Sequence, residues 1–244
     1  MTIPPDHPRY HSLIMRERLA ELVREGIVSP EGLAAHGRGE AFDYLIGEKT
    51  TDSALLAEKT AAAMLRSAQH PVISVNGNTA ALAAHEIALL QQASGAIVEV
   101  NLFHRTEERV RKITHLLESN GVTVLSGKAE RIVPLSHDRA LGYPEGTGKA
   151  DVILVALEDG DRCEALRKMG KTVIAIDLNP LSRTARLASL TIVDEVTRAI
   201  PMITCFLGSL RDHETVLLQR APDNNYFLKE AMKEMNRRLV HALD

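Results

Sequence analysis

Between residues 71 and 193 the chain alternates short apolar, β-branched runs with longer helical patterns, and that rhythm restricts what it can fold into. The runs are 72–75, 97–100, 122–125, 151–155, 172–176 and 190–193. A strand that is followed by a helix reaches a parallel neighbour through a right-handed crossover. Six such runs therefore predict an α/β fold, a Rossmann-like, doubly wound, mainly parallel sheet. The connecting helices carry their own signals. Asn76-Gly77-Asn78-Thr79 opens an Ala- and Leu-rich helix reaching about Ser94, and Thr106 caps a second with Val110, Ile113 and Leu117 facing inward. Asp161, with Glu164 three positions on, has capping-box spacing for a third, which Gly170 closes. Residues 126–149, with Pro134 and Pro144, lack periodicity and read as an irregular excursion with at most a short helix.

Helical patterns flank this unit. Met15, Leu19, Leu22 and Val23 form a buried stripe that Gly26 ends. Ser29-Pro30-Glu31 is an N-cap followed by proline at the first helical position, and the helix is expected to stop near Gly37. In His36-Gly37-Arg38-Gly39-Glu40 two glycines flank an arginine, which reads either as a tight turn holding an anion or as a helix stop with a solvated Arg38. A third helix covers about 53–69, capped by Thr51 or Asp52. After Glu195 the chain turns helical again, and a last helix from Tyr226 places Leu228, Met232, Met235 and Leu239 on one face. That stripe suits either a dimer contact or packing on the chain's own domain. The expected division is an N-terminal helical region at 1–70 contributing to the active site, a Rossmann-like nucleotide-binding domain at 71–210, and a C-terminal helix within 211–244.

Composition narrows the partners. With 29 Lys+Arg against 32 Asp+Glu the formal charge is −3, and there is no Trp, so neither a positive field nor stacking platforms point to nucleic acid. No run approaches the ~20 apolar residues of a membrane span, and the start MTIPPDHPRY has no signal-peptide pattern. Two cysteines, Cys163 and Cys205, supply no disulfide framework, which fits a reducing cytoplasmic interior. The ten histidines are scattered, with no H-E-x-x-H and no Cys pair, and no protein-bound metal is expected.

Ligands of an open parallel sheet sit beyond the carboxyl ends of its strands. Asn76-Gly77-Asn78, Asn101 with His104-Arg105, Glu158-Asp159-Gly160-Asp161, Asp177-Leu178-Asn179 and Asp194 all fall there. These groups can hold ribose, base and phosphate together. Glu99 stands where a dehydrogenase would place its ribose acid, but N-G-N-T replaces the G-x-G-x-x-G turn, and no P-loop is present.

The blocks HPRY (7–10), AHGRGEAFDYLIGE (35–48), PVISVNGNTAAL (71–82), EVNLFHRTEER (99–109), ALEDGDRCEALRKMGK and IDLNPLSRTAR closely resemble the archaeal phosphopantothenate synthetase family, whose members are also called 4-phosphopantoate–β-alanine ligases. The resemblance runs over nearly the whole chain and weakens across about 126–150 and after 210. It implies ATP-dependent ligation of 4-phosphopantoate to β-alanine with release of AMP and diphosphate, through a phosphopantoyl adenylate, on the route to coenzyme A. ATP is then a substrate with Mg²⁺ carried on it, and a homodimer is expected. The positions matching the family's ATP contacts are Arg16, Arg38, Asp177, Leu178, Asn179, Arg183, Thr184, Glu195 and Val196. Arg16 and Arg38 would hold phosphate and serve catalysis, Asp177 and Asn179 ribose or base, and Arg183 with Thr184 phosphate. Asp177-Asn179-Pro180 also reads as an Asx turn. Glu195 departs from the Asn expected there in many relatives. Position on the edge assigns Asn76, Asn78, His104 and Arg105 to 4-phosphopantoate or β-alanine, with a turn-capping role as the alternative for His104. A second reading is a non-catalytic nucleotide- or coenzyme-A-responsive binding protein on the same sheet.

Overall fold

Five of the six expected runs join one parallel sheet in the computed structural model, which describes residues 3–218 and 223–242. Strands β1 (Pro71–Val75) and β2 (Ile97–Val100) form one half. Two-residue strands β3 (Glu130–Arg131) and β4 (Leu141–Gly142) pair only with each other, antiparallel. Strands β5 (Val152–Ala156), β6 (Thr172–Ile176) and β7 (Leu190–Ile192) complete the large sheet, in the order β2-β1-β5-β6-β7. The sixth run, 122–125, is a correction to the expectation. It contributes one parallel bridge, Val98 to Val124, and a Leu125 N–H bond to the Val98 carbonyl at 2.7 Å. The chain then leaves through Gly127, whose φ of +140° suits glycine, so the pairing is cut short. Counted with this remnant, the order is that of a doubly wound sheet reversing between β1 and β5.

Alternation along the strands sorts the core into two layers. Ile73, Val75, Leu154, Ile174 and Ile192 face helices α3 (Asp52–Ser67), α4 (Gly77–Ser94) and α8 (Val196–Ser209). Val72, Ile153, Val155 and Val173 face Cys163 and Leu166 of helix α6 (Gly160–Lys168). Full burial of each such side chain contributes about 1.5–3 kcal/mol. Helix α5 (Glu107–Ser119) turns Ile113 and Leu117 inward and is capped by Thr106 as expected. Helix α1 (Tyr10–Arg24) ends at Gly26, which adopts φ +76°.

Helix α2 differs from its sequence reading. It runs unbroken from Pro30 to Ile46, capped by Ser29, and Gly37, Arg38 and Gly39 lie within it. Mid-helix glycine costs about 1 kcal/mol at each of the two positions, and the helix persists through both. A β-carbon on Gly39 would already touch Leu178 at 3.6 Å, whereas Gly37 faces open space. The capping expectation for Asp161 also fails. Helix α6 starts at Gly160, and Asp161 instead meets the His137 ring at 2.7 Å while Asp159 meets Arg139 at 2.7 Å. Both carboxylates are drawn to side chains of the 126–149 excursion, the His137 ring and the Arg139 guanidinium, and the excursion packs over the sheet.

Short helices α7 (Arg183–Leu187) and α9 (Asp212–Leu218) precede α10 (Asn224–Val240). Leu228 and Met235 of α10 pack on Ile46, Leu178 and Val193 of the same chain, so of the expected apolar stripe only Leu239 is exposed, at 58%. No described helix is long and apolar enough to cross a membrane.

Candidate active site

The site centres on Leu157, the residue after β5 and at the point where the sheet order reverses. It has φ +52°, a left-handed conformation that costs a non-glycine residue about 1–2 kcal/mol. Both neighbouring strand ends hold it. Its N–H bonds to the Ile176 carbonyl at 3.3 Å, and its own carbonyl, with that of Ala156, accepts from Asn76 Nδ2. The other end of the Asn76 amide caps α4 by accepting from Thr79. Three adjoining cavities, of about 340, 300 and 20 Å³, all have Leu157 in their wall.

The 340 Å³ cavity lies between α2 and the ends of β5 and β6, and it gathers Arg38, Asp177, Asn179, Arg183 and Thr184. Arg38 is exposed and makes no hydrogen bond or ion pair among the described residues. Asp177 takes the Asn179 N–H at 2.9 Å on one oxygen and the Ser182 hydroxyl on the other, an Asx turn. Burial pushes its carboxyl above the usual range, against those two hydrogen bonds and the Arg38 charge. Asn179 Oδ1 likewise accepts from Leu181 N at 2.9 Å. Thr184 is buried and its hydroxyl donates to the Glu158 carbonyl at 2.6 Å. Arg183 reaches the Glu164 carboxylate from a side chain still 60% exposed. A β-carbon on Gly160 would fall 2.6 Å from Arg183 Cβ, so glycine alone lets α6 begin against this wall.

The 300 Å³ cavity lies on the other side of Leu157, under the start of α2, and includes Asn76, Asn78, His104, Arg109 and Arg139. Asn78 Nδ2 donates to the Gly32 carbonyl at 2.8 Å. Arg109 is half-buried and held only by backbone carbonyls, those of His104 at 2.6 Å and Ile27 at 3.1 Å. Burial lowers its proton affinity, partly countered by Glu31. Arg139 is buried, bonded to Asp159 and to the carbonyl and side-chain oxygens of Asn101. Behind it the Glu158 carboxylate lies between Arg139 at 3.5 Å and Arg162. Burial alone would raise its proton affinity, and the two guanidiniums outweigh that and hold it below the usual range.

Leu178, Glu195 and Val196 meet at the 20 Å³ cavity. Glu195 is buried and caps α8, its Oε2 taking the Thr197 N–H at 2.6 Å. Burial raises its carboxyl, against the Thr197 bonds and Arg198.

Two expected residues stand apart from these cavities. Arg16, on α1, is bound by both oxygens of Glu40, at 2.6 and 2.9 Å. Arg105 points inward, donating to the Val100 carbonyl at 3.2 Å and the Tyr143 hydroxyl at 3.4 Å, and lines none of the three. Leu157, Arg109 and Arg139 escaped the sequence reading. Arg109 closes the block EVNLFHRTEER, which was a usable signal, whereas Arg139 lies in aperiodic sequence and Leu157 carries no polar group.

With this geometry in hand, three relatives can be compared. The chain is 59% identical to the 4-phosphopantoate--beta-alanine ligase of Methanospirillum hungatei, over 99% of this chain and 100% of the relative. It is 52% identical to the protein of that name from Methanosarcina mazei, over 97% and 95% of the two chains. With that of Thermococcus kodakarensis it shares 46%, over 100% of this chain and 96% of the other. Residues 53–238 match the family described as phosphopantothenate/pantothenate synthetase. That match spans most of the chain, including β1 through α10, and the chain belongs to the phosphopantothenate/pantothenate synthetase family.

Proposed function

We propose that the protein ligates (R)-4-phosphopantoate and β-alanine to 4′-phosphopantothenate at the expense of ATP, releasing AMP and diphosphate, in coenzyme A biosynthesis. The observation that carries this reading is a pair of cavities, of about 340 and 300 Å³, each with two arginines in its wall and meeting at one residue, Leu157. Two polyanionic substrates that must react with each other need two such spaces with a common wall. The relatives' names supply the substrates.

In this reading ATP occupies the 340 Å³ cavity, with Mg²⁺ carried on its phosphates, and Arg38 and Arg183 face the phosphate chain. Asp177 and Asn179 present the edge of their Asx turn to the ribose, and Thr184 acts through its backbone because its hydroxyl is engaged. The phosphate of 4-phosphopantoate lies between Arg109, His104 and Arg139 in the second cavity, with Asn78 and Asn76 as its floor. The acid's carboxylate then attacks the α-phosphorus across Leu157. The new carbon-bound O–P bond forms as the bond to diphosphate breaks. The β-alanine nitrogen next attacks the acyl carbon and loses a proton, and AMP leaves. Cations that neutralise converging oxygens lower both barriers more than an acid or base would. Arg16 and Arg105 then act at one remove, Arg16 by holding Glu40 on α2 and Arg105 by fixing the 100–105 turn.

The same proposal divides the chain into a helical region 1–70 that supplies Arg38, a nucleotide-binding domain 71–210 and a C-terminal helix, in a cytoplasmic homodimer. The dimer contact has to avoid Leu228 and Met235, which are buried within the chain. Incubation with ATP, Mg²⁺, 4-phosphopantoate and β-alanine tests the function. AMP and 4′-phosphopantothenate are expected in equal amounts, and ADP in place of AMP overturns the adenylate route. ATP binding without β-alanine-dependent AMP would mark a non-catalytic nucleotide-binding protein instead.

A further inference from the structure

His36 is buried on α2, and its Nε2 has no hydrogen-bond partner among the described residues. A buried, unpaired ring nitrogen costs about 1–3 kcal/mol, so a fold that retains one has a use for it or fills the space beside it. The space exists. His36 lines the 20 Å³ cavity, together with the apolar side chains of Leu82, Ile176, Leu178 and Val196 and the acidic Asp194 and Glu195. That volume holds about one water, and the cavity shares Gly39 and Leu157 with the 340 Å³ cavity beside it. The two spaces differ in chemistry. The larger has Arg38 and Arg183 in its wall, whereas the smaller has no cation in its lining. A nucleotide whose phosphates face the arginines has its base at the other end, among apolar side chains and the already hydrogen-bonded carboxylates of Asp194 and Glu195. Burial lowers the proton affinity of His36, so the imidazole is neutral there, and its Nε2 is a donor in one tautomer and an acceptor in the other.

We propose that His36 is a specificity-determining residue whose Nε2 hydrogen-bonds the nucleobase of the ATP, the base edge displacing the water-sized space between His36, Leu178 and Val196. The inference rests on the assignment of the 340 Å³ cavity to ATP. A base with a different pattern of donors and acceptors leaves Nε2 unpaired or opposes it, so the contact discriminates as well as binds.

Steady-state kinetics on His36→Phe and His36→Gln, beside Arg38→Ala, test this with the full chain. His36→Phe keeps a ring in the space and removes the hydrogen bond. It should raise KM for ATP about five- to tenfold and erode the preference for ATP over GTP, with KM for β-alanine and the thermal midpoint little changed. His36→Gln, which can still bond the base, should recover part of the loss. If His36→Phe leaves KM for ATP and the nucleotide preference intact while Arg38→Ala raises that KM, the cavity is correctly assigned and the role of His36 is overturned. If Arg38→Ala has no effect either, the assignment of the cavity fails first. A KM that rises only together with a large fall in thermal midpoint, without recovery in His36→Gln, makes the residue structural and also overturns the proposal.

Discussion

Asn78 donates to the carbonyl of Gly32 at 2.8 Å, and this bond fixes the start of α2 against the start of α4, directly over the 300 Å³ cavity. A β-carbon on Gly32 would fall well inside van der Waals contact with Asn78 Oδ1. Gly→Ala inside a helix ordinarily gains up to about 1 kcal/mol, but here the clash is with a short amide held at its other end. Gly32→Ala should therefore destabilise the protein by about 1–3 kcal/mol in denaturant unfolding. Gly32→Ala combined with Asn78→Ala should recover part of that. A more stable single variant would show that α2 is not held this closely.

Arg38→Ala should leave the thermal midpoint within about 2 °C of the parent, because the side chain is exposed and unpaired among the described residues. Its kcat/KM for ATP should fall at least about a hundredfold if it neutralises charge in the reaction. Unchanged turnover would remove Arg38 from the site.

Arg109 and Arg139 line the same cavity but are held differently. Arg109→Ala gives up only carbonyl contacts and should act mainly on KM for 4-phosphopantoate. Arg139→Ala also takes the cation from Asp159 and one of the two cations from the buried Glu158, so it should lower stability by about 2–4 kcal/mol besides impairing turnover. Parallel kinetics and urea unfolding separate the two, and equal stability losses would contradict the difference in their contacts.

Glu58 is fully buried, no donor among the described residues reaches its carboxylate oxygens, and its carboxyl lies within hydrogen-bond reach of Asp194. Burial pushes its carboxyl far above the usual range, and the nearby Asp194 charge adds to the effect while Arg198 opposes it. The folded state thus holds a proton that the unfolded chain releases near pH 4.5. Its stabilising contribution is complete below that pH and declines by up to about 1.4 kcal/mol per pH unit above it, until the folded carboxyl itself ionises. Glu58→Gln should flatten this slope, so its stability relative to the parent should rise between pH 5 and pH 8. Parallel curves for the two proteins would mean that Glu58 is not protonated in the fold.

Arg162 has no solvent exposure and joins Glu158, Glu99 at 3.7 Å and Thr147 at 3.4 Å. Removing one partner of such a cluster leaves buried charge uncompensated, so Arg162→Met should cost about 3–5 kcal/mol. Adding Glu158→Gln should return a large part of it, and a lack of coupling between the two changes would show that Arg139 alone neutralises Glu158.

The sequence by itself determined the strands, the caps and the ligand edge. Strand positions followed from short apolar, β-branched runs between helical patterns, Ser29 and Thr106 were legible as caps, and Thr51 as one of two candidates, because a short side-chain oxygen can bond only the next turn, and polar residues marked the strand ends. These are local rules, satisfied within a few residues of chain. Only the tertiary structure decided that the Gly37-Arg38-Gly39 stretch is helical, because the packing of Phe42, Leu45 and Ile46 of the same helix in the cluster around Leu178 has no local signature there. It alone turned Arg105 inward, brought Arg109 and Arg139 to the cavity, and placed Leu157 in a left-handed conformation at the reversal of the sheet. A long cationic side chain goes where buried acceptors are offered, and for Arg139 that acceptor, Asn101, lies 38 residues away. Such pairings are fixed by how distant segments pack, so no reading of the neighbouring residues could have supplied them.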